Sequence, residues 1–129
     1  MSGDPGHLLD VSTLVALLWQ THTDNAKAVA WSAGKKLVIC PITELGFLRV
    51  VTSPAYNATM SQARQTLESF LEDESPKFIA ADSRALDGEM APTSGKTTDW
   101  YLANLAAVHG LKWATLDTQA KHPNAEVVA

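Results

Sequence analysis

In the stretch HLLDVSTLVALLW, a single acid, Asp10, follows two leucines and precedes a long apolar run. A carboxylate taken out of water without a partner costs several kcal/mol or shifts its pKa to escape. Asp10 is therefore either a turn residue or part of a chemical site. Three other acids stand at comparable points: Glu44 in CPITELGFLRV, Asp99 in TTDWYLANLAAVHG and Asp117 at the end of KWATLD. Each alone has an ordinary explanation, since acids in a helix's first turn complement the macrodipole and Asp after a strand is a common cap or turn residue. Whether they act together depends on where the chain places them.

The apolar pattern divides into short strands and helices. HLLD reads as a buried strand and STLVALLW as a helix; TDNAKAVAWSAG reads as a second helix, capped by Thr23 or Asp24 and leaving at Gly34. KLVIC is a strand stopped by Pro41, and ITELGFLRVVTSP is helical through Val51 and ended by Pro54. SQARQTLESFLEDE forms an amphipathic helix with Ala63, Leu67, Phe70 and Leu71 on one face, and KFIA a short strand. Between Ala81 and Lys96 the expectation is a short helix followed by a loop around Pro92 and Gly95. TTDWYLANLAAVHG is a helix capped by Thr97 or Thr98 and closed by Gly110; KWATLD and EVV complete the strands.

Short buried strands alternating with helices predict an α/β layered fold with a mainly parallel sheet, covered by helices on both faces. In such a sheet the helices run back against the strands, so their N-termini lie at the carboxyl edge, where open α/β sheets keep their sites. Asp10 and Asp117 follow strands, whereas Glu44 and Asp99 fall in helical first turns, so all four are directed to one rim. Carboxylates about 5 Å apart repel by roughly 3 kcal/mol per pair at an effective dielectric of 20, so such a cluster calls for a countercharge. Oxygen donors, with no cysteine or histidine pair at metal spacing, favour a hard ion, Mg²⁺ or Mn²⁺, over zinc. Metal held by carboxylates at a sheet edge suits phosphodiester hydrolysis by water.

Three segments in this order, LLDVSTLVALLW, CPITELGFLRV and TTDWYLANLAAVHGLKWATLD, resemble the PIN domain, and specifically the VapC ribonuclease toxins of bacterial toxin-antitoxin modules. The last segment is the most specific, with Thr-Asp opening a Leu/Ala-rich helix, a His-Gly exit and a strand ending Thr-x-Asp. The likeness is close over the first third and last quarter of the chain; from about Tyr56 to Lys96 only the layout matches. It implies a PIN-like three-layer sandwich with Asp10, Glu44 and Asp99 as metal-binding acids and Asp117 as a fourth, acting directly or through water. Thr115 corresponds to a hydroxyl that lines such sites, and Ser12 stands where the family frequently has Asn. The resemblance further implies an endoribonuclease acting on RNA, a homodimer, and a small cognate antitoxin that wraps and inhibits it.

The bulk numbers fit that expectation. At 129 residues, 46% hydrophobic and 19% charged, the chain is expected to form one globular domain. The formal charge of −4 removes the broad basic surface of many nucleic-acid binders, although a bound metal supplies positive charge locally. Cys40 is the only cysteine, excluding a disulfide framework, and the expected place of this residue is the core. No apolar run approaches a membrane span, and MSGDPGH lacks the basic flank and apolar core of a signal peptide, so a cytoplasmic protein is expected.

Other residues carry weaker signals. Lys96, in the loop before Asp99, and Arg49, beyond Glu44, are candidates to approach a phosphate, though an exposed helix arginine is the plainer reading of the second. SGKTT lacks the first glycine of a phosphate-binding loop, since Met90 stands there. His7, His22, His109 and His122 are scattered, as caps and surface residues are. The four tryptophans suit a core or a dimer contact, with Trp100 beside Asp99 the best placed for RNA. Two rival functions share parts of this pattern: a non-catalytic PIN-fold module binding RNA or a partner, and a small phosphohydrolase with Asp10 as nucleophile. The second would need an acid where Ser12 stands.

Overall fold

The computed structural model describes residues 4–129. Its centre is a five-stranded, all-parallel sheet in the order β3-β2-β1-β4-β5. The strands are β1 (His7–Leu9), β2 (Leu37–Ile39), β3 (Lys77–Phe78), β4 (Lys112–Thr115) and β5 (Ala125–Val127). The helices are α1 (Val11–Leu18), α2 (Asn25–Ser32), α3 (Pro41–Val51), α4 (Met60–Glu74) and α5 (Thr97–Val108). In register, His7 lies beside Leu37 on one side and Lys112 on the other.

Alternation along the strands builds the two cores. Leu9, Ile39 and Ala114 turn to the face covered by α1 to α4, where they meet Leu14, Trp31, Phe47 and Phe70. Leu8, Val38 and Trp113 turn to the opposite face, against Leu102 and Leu105 of α5. The three central strands, β2, β1 and β4, thus bury apolar side chains on both faces, as a sheet sandwiched between helices requires. This is the PIN-like three-layer α/β arrangement expected from the sequence. Cys40 is fully buried, as expected.

Several boundaries differ from expectation for identifiable reasons. Pro41 does not merely stop β2 but opens α3, because the first helical position needs no amide donor. Lys96, rather than a threonine, precedes α5, which continues directly from a 3₁₀ turn over Ser94–Lys96. The segment from Ala81 to Ala91 contains no helix. Its shape comes from α5: Asn104 Nδ2 donates to the carbonyls of Asp87 (3.2 Å) and Glu89 (2.9 Å), and Asn104 Oδ1 accepts from the Glu89 amide at 3.0 Å. Gly88 packs so tightly there that a Cβ would lie 2.5 Å from Asn104 Cγ. His109 ends α5 and pairs with Asp82 at 2.9 Å, as a helix-end histidine does. His7 and His122, by contrast, are buried, bonded to Glu126 (2.9 Å) and Asn104 (2.8 Å).

The packing of α1 on α3 places the two ends that matter most for the rim. Gly46 allows it, since a Cβ at that position would stand 2.2 Å from Val11 Cγ2. Alanine is the better helix former, yet Gly46→Ala is expected to lower the unfolding free energy by about 1–3 kcal/mol through overpacking. Urea denaturation measures this, and an unchanged midpoint would show that the two helices have room to separate.

Candidate active site

Asp10 is the last residue before α1 and caps it: its Oδ1 accepts the Thr13 amide at 2.7 Å. Its own amide donates to Ala114 O across the β1–β4 seam at 3.1 Å. The side chain is 1% exposed. Burial lifts its carboxyl to about 6, against the pull of hydrogen bonds from Thr13 and Thr115, and the negative charge of Asp99 pushes the same way as burial. A carboxylate this deeply placed, near a second acid, is held in a form that favours a proton or a cation.

Asp99, in the first turn of α5, is half-buried. Burial raises its pKa, the ammonium of Lys96 lowers it, and the charge of Asp117 raises it. Asp117 follows β4 by two residues, and its Oδ2 receives Lys96 Nζ at 2.7 Å. That ion pair holds the Asp117 carboxyl below its ordinary range and the lysine above its own. Thr115, buried at the end of β4, accepts the Asp117 amide at 3.1 Å while its hydroxyl bonds Asp10. The structure therefore brings Asp10, Asp99, Asp117, Thr115 and Lys96 into one electrostatic neighbourhood.

The charges that act on Asp10, Asp99 and Asp117 do not include that of Glu44. It lies in the first turn of α3, half-buried, and burial alone raises its pKa. Arg49 is exposed and has no ion-pair partner, and Ser12 is exposed with no side-chain hydrogen bond, among the described residues. The ring of Trp100 packs edge-on to His122, with centroids 4.9 Å apart. Among the described residues no three His, Cys, Asp or Glu side chains are disposed to hold an ion as they stand. The donor chemistry nonetheless suits a hard cation: oxygen ligands only, with the most buried one lacking an opposite charge.

Two residues that position the rim escaped the sequence reading. Thr13 and Thr43 are each the third residue of a helix that follows a strand, and both are buried. Thr13 Oγ1 donates to Ala114 O at 3.2 Å, and Thr43 Oγ1 to Leu9 O at 2.9 Å. Each hydroxyl thus ties the start of a helix to the end of a neighbouring strand, fixing Asp10 and Glu44 relative to the sheet. The available signal was a threonine three places beyond the helix cap in two separate strand-to-helix junctions.

A raised carboxyl pKa means that the fold binds a proton more tightly than the unfolded chain does. Stability from this source is present at low pH and lost as pH rises from about 4 through about 6. In metal-free buffer, Asp10→Asn is expected to remove that loss while keeping the cap, so the variant should gain about 2 kcal/mol on the wild type between pH 4 and pH 8. Chemical denaturation at both pH values checks this; a constant difference between the two proteins would contradict the burial of a titrating Asp10.

A family model described as PIN domain matches residues 7–125. Among similar proteins, Ribonuclease VapC44 of Mycobacterium tuberculosis (strain CDC 1551 / Oshkosh) is 34% identical over 120 residues, covering 85% of this chain and 84% of the relative. Ribonuclease VapC38 of strain ATCC 25618 / H37Rv is 32% identical over 118 residues, covering 85% and 84%. Ribonuclease VapC29 of strain CDC 1551 / Oshkosh is 29% identical over 125 residues, covering 93% and 92%.

Proposed function

Because the chain belongs to the PIN domain family and resembles VapC-type toxins along most of its length, we propose that it is a metal-dependent endoribonuclease, the toxin of a toxin-antitoxin pair. The observation that carries the metal-dependent reading is the buried Asp10 carboxyl, lifted by burial and by Asp99 and compensated by no opposite charge of its own. Asp10 and Asp99 would hold Mg²⁺ or Mn²⁺, with Glu44 and Asp117 as further oxygen donors. A bound ion would supply Lewis acidity and countercharge for attack of water on the phosphodiester.

The chain's own residues have distinct parts in this scheme. The Thr13 amide and the Thr115 hydroxyl fix the orientation of Asp10, leaving its remaining oxygen capacity for a ligand. Lys96 holds Asp117 and lies near Asp99, so its ammonium offsets the acids that would otherwise repel an RNA phosphate. This local charge matters in a protein whose net charge is −4, because affinity for a nucleic-acid backbone rests on cations near the phosphates. Arg49 is the second cation we assign to phosphate contact, and Ser12 an edge of the same site. We further propose that one domain spans the chain, that it acts in the cytoplasm as a homodimer, and that a cognate antitoxin protein restrains it. No helix among the described residues is long and apolar enough to cross a membrane.

Asp10→Asn and Asp99→Asn should each reduce Mg²⁺-dependent cleavage of RNA by at least about 100-fold, with chelation of the metal doing the same to the unaltered protein. Cleaved ends should carry a 5′-phosphate and a 3′-hydroxyl, because water rather than the ribose 2′-hydroxyl attacks. Gel assays with end-group analysis read both outcomes. Full activity in the two variants would overturn the assignment of Asp10 and Asp99 to a metal site, no cleavage by the unaltered protein across a Mg²⁺ titration would support the non-catalytic binding module instead, and a 2′,3′-cyclic phosphate would remove the water mechanism.

A further inference from the structure

Two of the helices that begin near the candidate acids, α1 and α3, lead to the same cleft. α1 runs from its Asp10 cap to its Trp19 cap, about 13.5 Å away at a rise of 1.5 Å per residue. α3 carries Glu44 in its first turn and ends just before a turn that presents Tyr56. In that turn the Tyr56 and Asn57 amides both donate to Ser53 O, at 3.1 and 2.7 Å, and the Ala58 amide donates to Val51 O at 3.0 Å. Asn57 takes a left-handed backbone, φ 58°. The Trp19 and Tyr56 rings meet edge to face with centroids 6.1 Å apart, and α4 closes the other side.

The resulting cavity measures about 630 Å³. No Asp, Glu, Lys or Arg lines it, and its polar groups are chiefly the amides of Gln20, Asn57, Gln62 and Gln65. Gln62 uses its Oε1 in the capping box that starts α4. The side chains of Gln20, Asn57 and Gln65 make no hydrogen bond among the described residues. Free amides beside an aromatic pair match a flat, neutral ligand edged with donors and acceptors: aromatic rings stack on base faces, and Asn or Gln pairs with base edges. With no cation in its lining, the cleft suits a neutral ligand better than a phosphate.

We propose that this cleft receives one unpaired base of the RNA substrate and sets the sequence preference of cleavage, an inference that rests on the nuclease reading above. A base held here anchors the strand one helix length from the acids, so the cut falls at a fixed offset from the base that is read.

The test uses the full chain in EDTA, titrated with adenosine, cytidine, guanosine and uridine, which present a base without a phosphate. Side-chain amide and indole NMR signals report the site. One nucleoside is expected to shift Gln20, Gln65 and Trp19 in preference to Trp31, Trp100 and Trp113, and the double variant Gln20→Ala/Gln65→Ala to weaken its binding by about tenfold. Trp19→Phe, which keeps a stacking ring, should retain the response. Backbone signals confirm that each variant folds. If no nucleoside moves these signals while the protein still cleaves RNA with Mg²⁺, the base pocket is wrong and the nuclease reading stands. If nucleosides bind as expected but Asp10→Asn and Asp99→Asn cleave normally, the failure lies in the catalytic assignment and the base pocket is upheld. If the double variant alters self-association and no nucleoside responds, the cleft serves a second copy of the chain and the proposal is overturned.

Discussion

The buried carboxyl of Asp10 is the constraint on which the rest of the rim depends. It follows β1, caps α1, and sits beneath solvent with its charge unopposed. Its amide joins β4 through Ala114 O, so the same residue links strand pairing, helix initiation and the candidate site. A neutral residue would satisfy the packing more readily. The penalty of burying a charge is tolerated at this junction because the strand-to-helix turn fixes Asp10 whether or not it is ionised, and the hydrogen bonds from Thr13 and Thr115 recover part of the penalty.

The charges around Asp10 are graded rather than uniform. Asp99 feels burial and a neighbouring acid in one direction and Lys96 in the other, whereas Asp117 is committed to the lysine. The Lys96–Asp117 pair is partly exposed and adds little to stability; its importance is positional, placing a cation against a group of acids. Glu44 lies outside this coupled set and is fixed instead by the close approach of α1 and α3 over Gly46 and by the Thr43 hydroxyl bond to β1. Two threonine hydroxyls thus tie the first turns of two helices to carbonyls of neighbouring strands.

The same two helices connect the rim to the amide-lined cleft. Their lengths set the distance between the places where we assign chemistry and base recognition, and their packing keeps that distance constant. Such separation assigns backbone and base to different surfaces: charged groups act on phosphates, and neutral amides with aromatic rings act on bases.

Much of the architecture was decided locally. Apolar runs on both faces of KLVIC and KWATLD required a covered parallel sheet, and acids after strands or in first turns were bound to reach its carboxyl edge, because chain direction alone puts them there. Pro41, Gly34 and Gly110 marked boundaries through backbone geometry that any neighbour sequence would respect. What only the folded chain decided involves partners distant in sequence. The segment from Ala81 to Ala91 has no periodicity of its own and takes its shape from Asn104. Lys96 finds Asp117 across 21 positions, Asp10 couples to Asp99 and leaves Glu44 aside, and buried His7 and His122 have bonds that no local pattern announces. Periodicity and turn chemistry are properties of neighbouring residues and can be read along the chain, whereas burial, charge coupling and hydrogen-bond partners are properties of packing and exist only once the layers have closed.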